Sequence, residues 1–195
     1  LSEIKGNLGK EITDGTGNIT GYMFGQVLEN ISGSVAIIPE SGTAQQPIGY
    51  MLPDAQYSIQ LKNFSNSGVY CNIFGDNNVY GYSRAGATLA QTDDMICRNS
   101  GITVENNDNI VKTISLYTLF ENAGNEMNVD VSQLGMSANS EVKIQVISAT
   151  NSVKLLNTGA NTSYKLTVRS VNSTGEANYY NDSIPITTNC AHIIT

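Results

Sequence analysis

One histidine, three cysteines and a few acidic clusters are the residues of this 195-residue chain whose types and spacing could do chemistry. His192 is the only histidine, so a Ser–His–Asp or Cys–His arrangement would have to run through it. It sits near the C-terminal end. No G-x-S-x-G, G-x-x-x-x-G-K-[ST] or H-E-x-x-H pattern accompanies it. Asp76-Asn77-Asn78-Val79-Tyr80-Gly81 has the oxygens and the glycine of a calcium loop's opening. Position five is Tyr80, however, and position twelve is Ala87, where a bidentate Glu is needed. Asp93-Asp94 and Glu105–Asn109 are also oxygen-rich, and they read as solvated hairpin loops. Paired carboxylates could cleave sugars, but sugar clefts usually stack substrate on tryptophan, and there is none. Tyr80 with Tyr82, and Tyr179 with Tyr180, read first as strand residues and second as a binding surface. The expectation is a non-enzyme with no cofactor and no metal.

Cys71, Cys97 and Cys190 are widely spaced and form no C-x-x-C, which argues against zinc. In an oxidising compartment one pair should bridge. Cys71 with Cys97, 26 residues apart, is the first choice, and Cys97 with Cys190 is the alternative. The third thiol is then buried or links to another subunit. Six N-x-S/T sequons occur, at Asn18, Asn30, Asn63, Asn161, Asn172 and Asn181. Chance would give roughly four, so a glycan coat is a reading that stands beside plain polar loops.

Composition sets the outer limits. Charged residues make up only 14% and the net charge is −7, so no basic face serves nucleic acid or an anionic membrane. No apolar run approaches the ~18 residues of a membrane span. Asn, Ser, Thr and Gly solvate the surface in place of Lys and Glu, which suits an exported protein. The chain begins at Leu1, as after removal of a leader or after trimming.

The elements that must position these residues are strands. Apolar residues alternate at Tyr57-Ile59-Leu61, Ile102-Val104, Ile114-Leu116, Val129-Val131, Val142-Ile144-Val146, Tyr164-Leu166-Val168 and Ile184-Ile186. Such a period puts one face in a core and the other in water. Val35–Ile38 is a continuous apolar run, as in a strand covered on both faces. Between strands lie Gly, Asn, Asp and Ser clusters that suit turns: 66–68, 75–78, 105–109, 122–125, 157–161 and 172–175. Residues 93–97 and 132–136 could form single helical turns. The pattern predicts an all-β sandwich. Residues 1–28 read as an extended arm and 29–195 as the body, with a possible boundary near 99–101. Within the arm, Gly6, Gly9, Gly15 and Gly17 discourage helix. Ile19, Tyr22, Met23, Phe24, Val27 and Leu28 are more apolar than a free tail tolerates, so they should seek a sheet edge.

Two resemblances sharpen this reading. Residues 157–172, running through Tyr164-Lys165-Leu166-Thr167-Val168, then Gly175 and Ile184-Pro185-Ile186-Thr187-Thr188, resemble the closing strands of an Ig-like or fibronectin type III module. That implies Ig-like, Greek-key sandwich architecture. The Gly-rich start, the apolar stretch 19–28 and the sequons are similar in layout to subunits of extracellular archaeal filaments, the threads and bundling pili. That resemblance implies a glycosylated structural subunit at the cell surface, a homo-polymer built by donation of an N-terminal strand to the neighbour. A type IV pilin ectodomain and a monomeric adhesin or lectin-like module are the competing expectations.

Overall fold

The computed structural model describes residues 2–6, 9–23, 26–38, 48–62, 68–88 and 91–195, with side chains described throughout except at 2–6, 9 and 23. The chain is all-β. Its strands are β1 (Ser2–Gly6), β2 (Gly9–Thr13), β3 (Ile19–Met23), β4 (Gln26–Glu29), β5 (Val35–Ile37), β6 (Gly49–Leu52), β7 (Tyr57–Lys62), β8 (Val69–Phe74) and β9 (Asn78–Arg84). There follow β10 (Thr92–Arg98), β11 (Gly101–Asn106), β12 (Lys112–Asn122), β13 (Asn125–Met136), β14 (Ser140–Ile147), β15 (Ser152–Asn157), β16 (Thr162–Asn172), β17 (Gly175–Ile186) and β18 (Cys190–Ile194). Among the described residues the only helical element is one 3₁₀ turn, Ser148–Thr150.

These strands form two nine-stranded sheets. The first runs β17-β16-β13-β12-β9-β8-β1-β6-β5 and the second β18-β15-β14-β11-β10-β7-β2-β3-β4. Neighbours are antiparallel. From β8 onward the chain lays a hairpin on one sheet, crosses, lays the next on the other, and returns. Alternation in the sequence explains this directly. In β7, Tyr57, Ile59 and Leu61 are buried while Ser58 is exposed, and β14 repeats the pattern with Val142, Ile144 and Val146. Inward residues of both sheets join one apolar cluster extending from Ile12 to Ile194, an arrangement consistent with a β-sandwich.

Several expectations change. The described residues among 1–28 do not form an extended arm. β1 pairs with β6 and β8 in the interior of the first sheet, and β2 pairs with β7 and β3 in the second. The glycines that break a helix leave a strand possible, and the sheets of this chain absorb it. Val35–Ile37 is an edge strand with Val35 exposed, not a strand covered on both faces. Residues 93–97 and 132–136 are strand, in β10 and β13, because neighbouring strands satisfy their backbone. The possible boundary at 99–101 is the turn between β10 and β11, which pair with each other in one sheet. There Gly101 is required by crowding, since a Cβ would lie 2.3 Å from the Ile144 carbonyl oxygen.

Candidate functional site

Between Lys112 and Ile194 one arrangement is built twice. Strands β12, β13 and β14 begin at Lys112, Asn125 and Ser140, and β16, β17 and β18 begin at Thr162, Gly175 and Cys190, each 50 residues later. Both β12 and β16 shift register at the same point, between Ile114 and Leu116 and between Tyr164 and Leu166. Both crossings to the other sheet turn on a left-handed asparagine, Asn139 (φ 52°) and Asn189 (φ 55°). Asparagine tolerates that conformation better than most residues.

A buried asparagine grips each crossing. Asn106, at the end of β11, donates from Nδ2 to the carbonyls of Met136 (3.2 Å) and Ser137 (2.9 Å), and to Ile110 O (2.8 Å). Asn157, at the end of β15, does the same for Gly159 O, Ala160 O and Thr187 O, at 3.4, 3.0 and 3.5 Å. Their side-chain oxygens accept from Asp108 N and Gly159 N.

The two units differ in what covers them. β13 is flanked by β12 and β16, and β14 by β11 and β15. Their counterparts β17 and β18 have one neighbour each and end their sheets side by side. Val129 of β13 is 0% exposed, whereas its counterpart Tyr179 of β17 is 52% exposed. Ile193, the counterpart of half-buried Lys143, also faces solvent. Between β16, β17 and β18 lies an open groove of about 520 Å³, lined by Tyr164, Leu166, Val168, Tyr179, Ile184 and Ile194. His192 stands in it, with Nδ1 2.9 Å from the Tyr164 hydroxyl. Burial pushes that hydroxyl up to about 12, with Tyr179 and Cys190 adding to the shift. The groove offers apolar contact and free backbone edges, the requirements for taking up another strand.

The second polar cluster lies within the body. Arg84 Nε meets Asp93 Oδ2 at 2.8 Å, and Lys112 Nζ meets Asp93 Oδ1 at 3.0 Å and Asp108 Oδ2 at 2.9 Å. Arg84, Asp93 and Lys112 are buried. β9 and β12 belong to one sheet and β10 to the other, so the cluster ties the sheets together. Burial is the largest single influence and would lower the Arg84 guanidinium, but the hydrogen bond and charge of Asp93, with Tyr82 adding, together outweigh it and raise it. Both oxygens of Asp93 are held by cations, an arrangement suited to a clasp and not to a base. A smaller polar cleft of about 150 Å³ includes Asp54, Asn78 and Asn99. Its amides are spent on each other: Asn78 donates to Asn99 O and Asn99 to Asp54 Oδ2.

No family model, no curated protein and no solved structure matches the chain.

The residues singled out in the sequence fall as follows. Cys71 and Cys97 are free, buried thiols on facing sheets, and Cys190 is a half-buried free thiol, so the bridge expected between Cys71 and Cys97 is not formed here. Burial pushes both core thiols up to about 12. Asn18, Asn30, Asn161 and Asn172 are exposed and Asn181 half-buried, while Asn63 lies outside the described residues. Asn18 Nδ2 already donates to Asp14 Oδ2 and Thr16 Oγ1. Of the expected donor-strand residues, Ile19, Tyr22, Val27 and Leu28 are half-buried in the β3–β4 hairpin of this chain's own sheet. Met23 pairs with Gln26 there, and Phe24 lies outside the described residues. Tyr80 and Tyr82 are buried, and Tyr179 and Tyr180 are exposed. Asp93 and Asn106, read as parts of solvated loops, are buried. Among the described residues no three His, Cys, Asp or Glu side chains gather as a metal site, and no helix is long and apolar enough to cross a membrane.

The signal for the doubled unit was faint. Leu116 and Leu166, Asn122 and Asn172, Glu126 and Glu176, and Asn139 and Asn189 are identical at a spacing of 50. Internal comparison at that period would have found them.

Proposed function

We propose that this chain is a structural subunit of an extracellular filament, assembled by strand pairing between subunits. One observation carries this reading: both sheets end at the same place in strands with a free edge, β17 and β18, over an apolar groove. Exposed edges of this kind template pairing unless they are blunted; β17 carries Pro185, two carboxylates, Glu176 and Asp182, and one register shift, and no lysine. Support for donation by residues 1–28 is removed by the pairing of β1 to β4 within this chain, so the joint moves to the closing strands. The Tyr164-x-Leu-x-Val strand of β16 beside β17 supports an Ig-like ancestry for that end. Support for an exported location is compositional: low charge, and five of the six sequons at exposed or half-buried positions.

Exposed Tyr179, which lines the groove, favours a second reading, a monomeric binding module that takes sugar or peptide against that ring. Electron microscopy of the native surface with gold-labelled antibody against this chain separates the two. Label along threads is the expected result, and label scattered on particles with no filament sinks the subunit reading.

A further inference from the structure

We propose that the ionic cluster of Arg84, Asp93, Lys112 and Asp108 is the precursor of a covalent link, an amide between Lys112 Nζ and Asp93 Cγ that ties one sheet to the other. This stands apart from the filament reading. It starts from positions along the strands. The inward residues Tyr80 and Tyr82 of β9, Met95 and Cys97 of β10, and Ile114 and Leu116 of β12 are buried. The next inward position of each strand is charged: Arg84, Asp93 and Lys112. Asp93 lies in the second sheet and Lys112 in the first. Taking ions out of water is costly, and their attraction repays it only where the geometry is good. Here the groups are close but poorly aligned. Lys112 Nζ donates to the Thr92 carbonyl at 2.7 Å and stands 3.0 Å from Asp93 Oδ1 and 2.9 Å from Asp108 Oδ2. Asp108 Oδ2 is shut off from water and makes no hydrogen bond. Joining Lys112 to Asp93 removes one cation and one carboxylate from the cluster and leaves Arg84 and Asp108 in balance.

The chemistry closes without a further reagent. The Lys112 ammonium passes a proton to Asp108, and the freed amine attacks the Asp93 carboxyl carbon, which lies one carbon–oxygen bond beyond Oδ1. Arg84 Nε, 2.8 Å from Oδ2 and 3.0 Å from Oδ1, offsets the negative charge gathering on those oxygens. The N–C bond forms and one C–O bond breaks. That oxygen leaves as water, with the proton held by Asp108 and one more from the nitrogen, so Asp108 ends as it began. Two groups held in contact react as if highly concentrated. The side chains of Asp93 and Lys112 are each 2% exposed, which keeps out the water that would reverse the step.

Mass spectrometry of the whole chain tests this. The unaltered protein should weigh less than its sequence by one water. Trypsin should then leave Lys112 uncut and release residues 85–98 joined to residues 99–143, with fragmentation placing the joint on Asp93. Asp108→Asn keeps the shape but accepts no proton, so it should retain the full mass while circular dichroism shows an intact β signal. Lys112→Met should retain the full mass as well. Full mass and cleavage after Lys112 in the unaltered chain would overturn the link. So would a lost water without joined peptides, as from a cyclised aspartate, or a joint on Asp108. A lost water that persists in Asp108→Asn would overturn its part as proton carrier. Should either variant fail to fold, the digest of the unaltered chain still decides.

Discussion

At the scale of single residues, three buried groups set opposing pH dependences. Lys10 is buried, its Nζ 3.0 Å from the Ile48 carbonyl, and burial lowers it from 10.5 to about 8 against a smaller upward pull from Cys71. Between about pH 8 and 10.5 the unfolded chain therefore binds more protons at this site than the folded one, and stability rises with pH. Cys71 and Cys97 act the other way. Burial lifts them from 9 to about 12, so above pH 9 the unfolded chain ionises first and stability falls. The urea midpoint should consequently pass through a maximum near pH 9. Lys10 alone would add about 1 kcal/mol from pH 8 to 9, since one proton of difference is worth about 1.4 kcal/mol per pH unit, and the two cysteines cut the net gain to about 0.3 kcal/mol. Lys10→Met should erase that rise and leave the fall above pH 9 in place. A rise that survives the substitution would show that Lys10 is not its source.

At the scale of elements, the asparagine clips decide how one hairpin hands over to the next. A chain that crosses between sheets leaves carbonyls off the ladder, and these must find donors. Asn106 serves the crossing after β13 and Asn157 the crossing after β17. Leucine matches asparagine in shape but donates nothing, so Asn106→Leu leaves three carbonyls unserved at a buried site and should cost about 3 kcal/mol. Asn157→Leu should cost about half as much, because its bonds, at 3.4, 3.0 and 3.5 Å, are longer than those of Asn106. Chemical denaturation of both variants measures this, and the reverse order would refute the clip. The strands themselves were legible in the sequence. Inward residues such as Val142, Ile144 and Val146 had to alternate to reach a shared core, and that period survives in a single sequence. Val35–Ile38 misled because an apolar run does not say whether a strand is central or at an edge. Asn106 misled because a side chain that bonds backbone carbonyls inside the body has the same letter as one that caps a solvated turn. The open end was legible only in part: Tyr179 and Tyr180 stood out, but their exposure follows from strand order, which no local pattern encodes. The leading segment was misplaced for the same reason, since its own sheet lies 40 to 70 residues further on.

At the scale of the whole molecule, growth by units makes stability partly divisible. In an array where each unit touches mainly its neighbours, total stability approximates a sum of units and joints. The last unit here, β16 to β18, touches the rest through β13 and β15 alone among its sheet neighbours. Ending the chain at Asn157 removes that unit and leaves β13 and β15 as the new ends of the two sheets. The shortened chain should still fold, because the ionic clasp of Arg84, Asp93 and Lys112 and most of the core from Ile12 to Leu155 remain. Its denaturant slope should fall by roughly a fifth, in line with the surface no longer buried. Its midpoint should fall as well, since Val129 and Val131 lose their cover. Urea melts followed by circular dichroism measure both quantities. Complete unfolding of the shortened chain would mean that the body is one indivisible core and that the 50-residue spacing is a coincidence of strand lengths. A folded remnant with a smaller slope would mean that stability is summed unit by unit along the sheets toward β17 and β18.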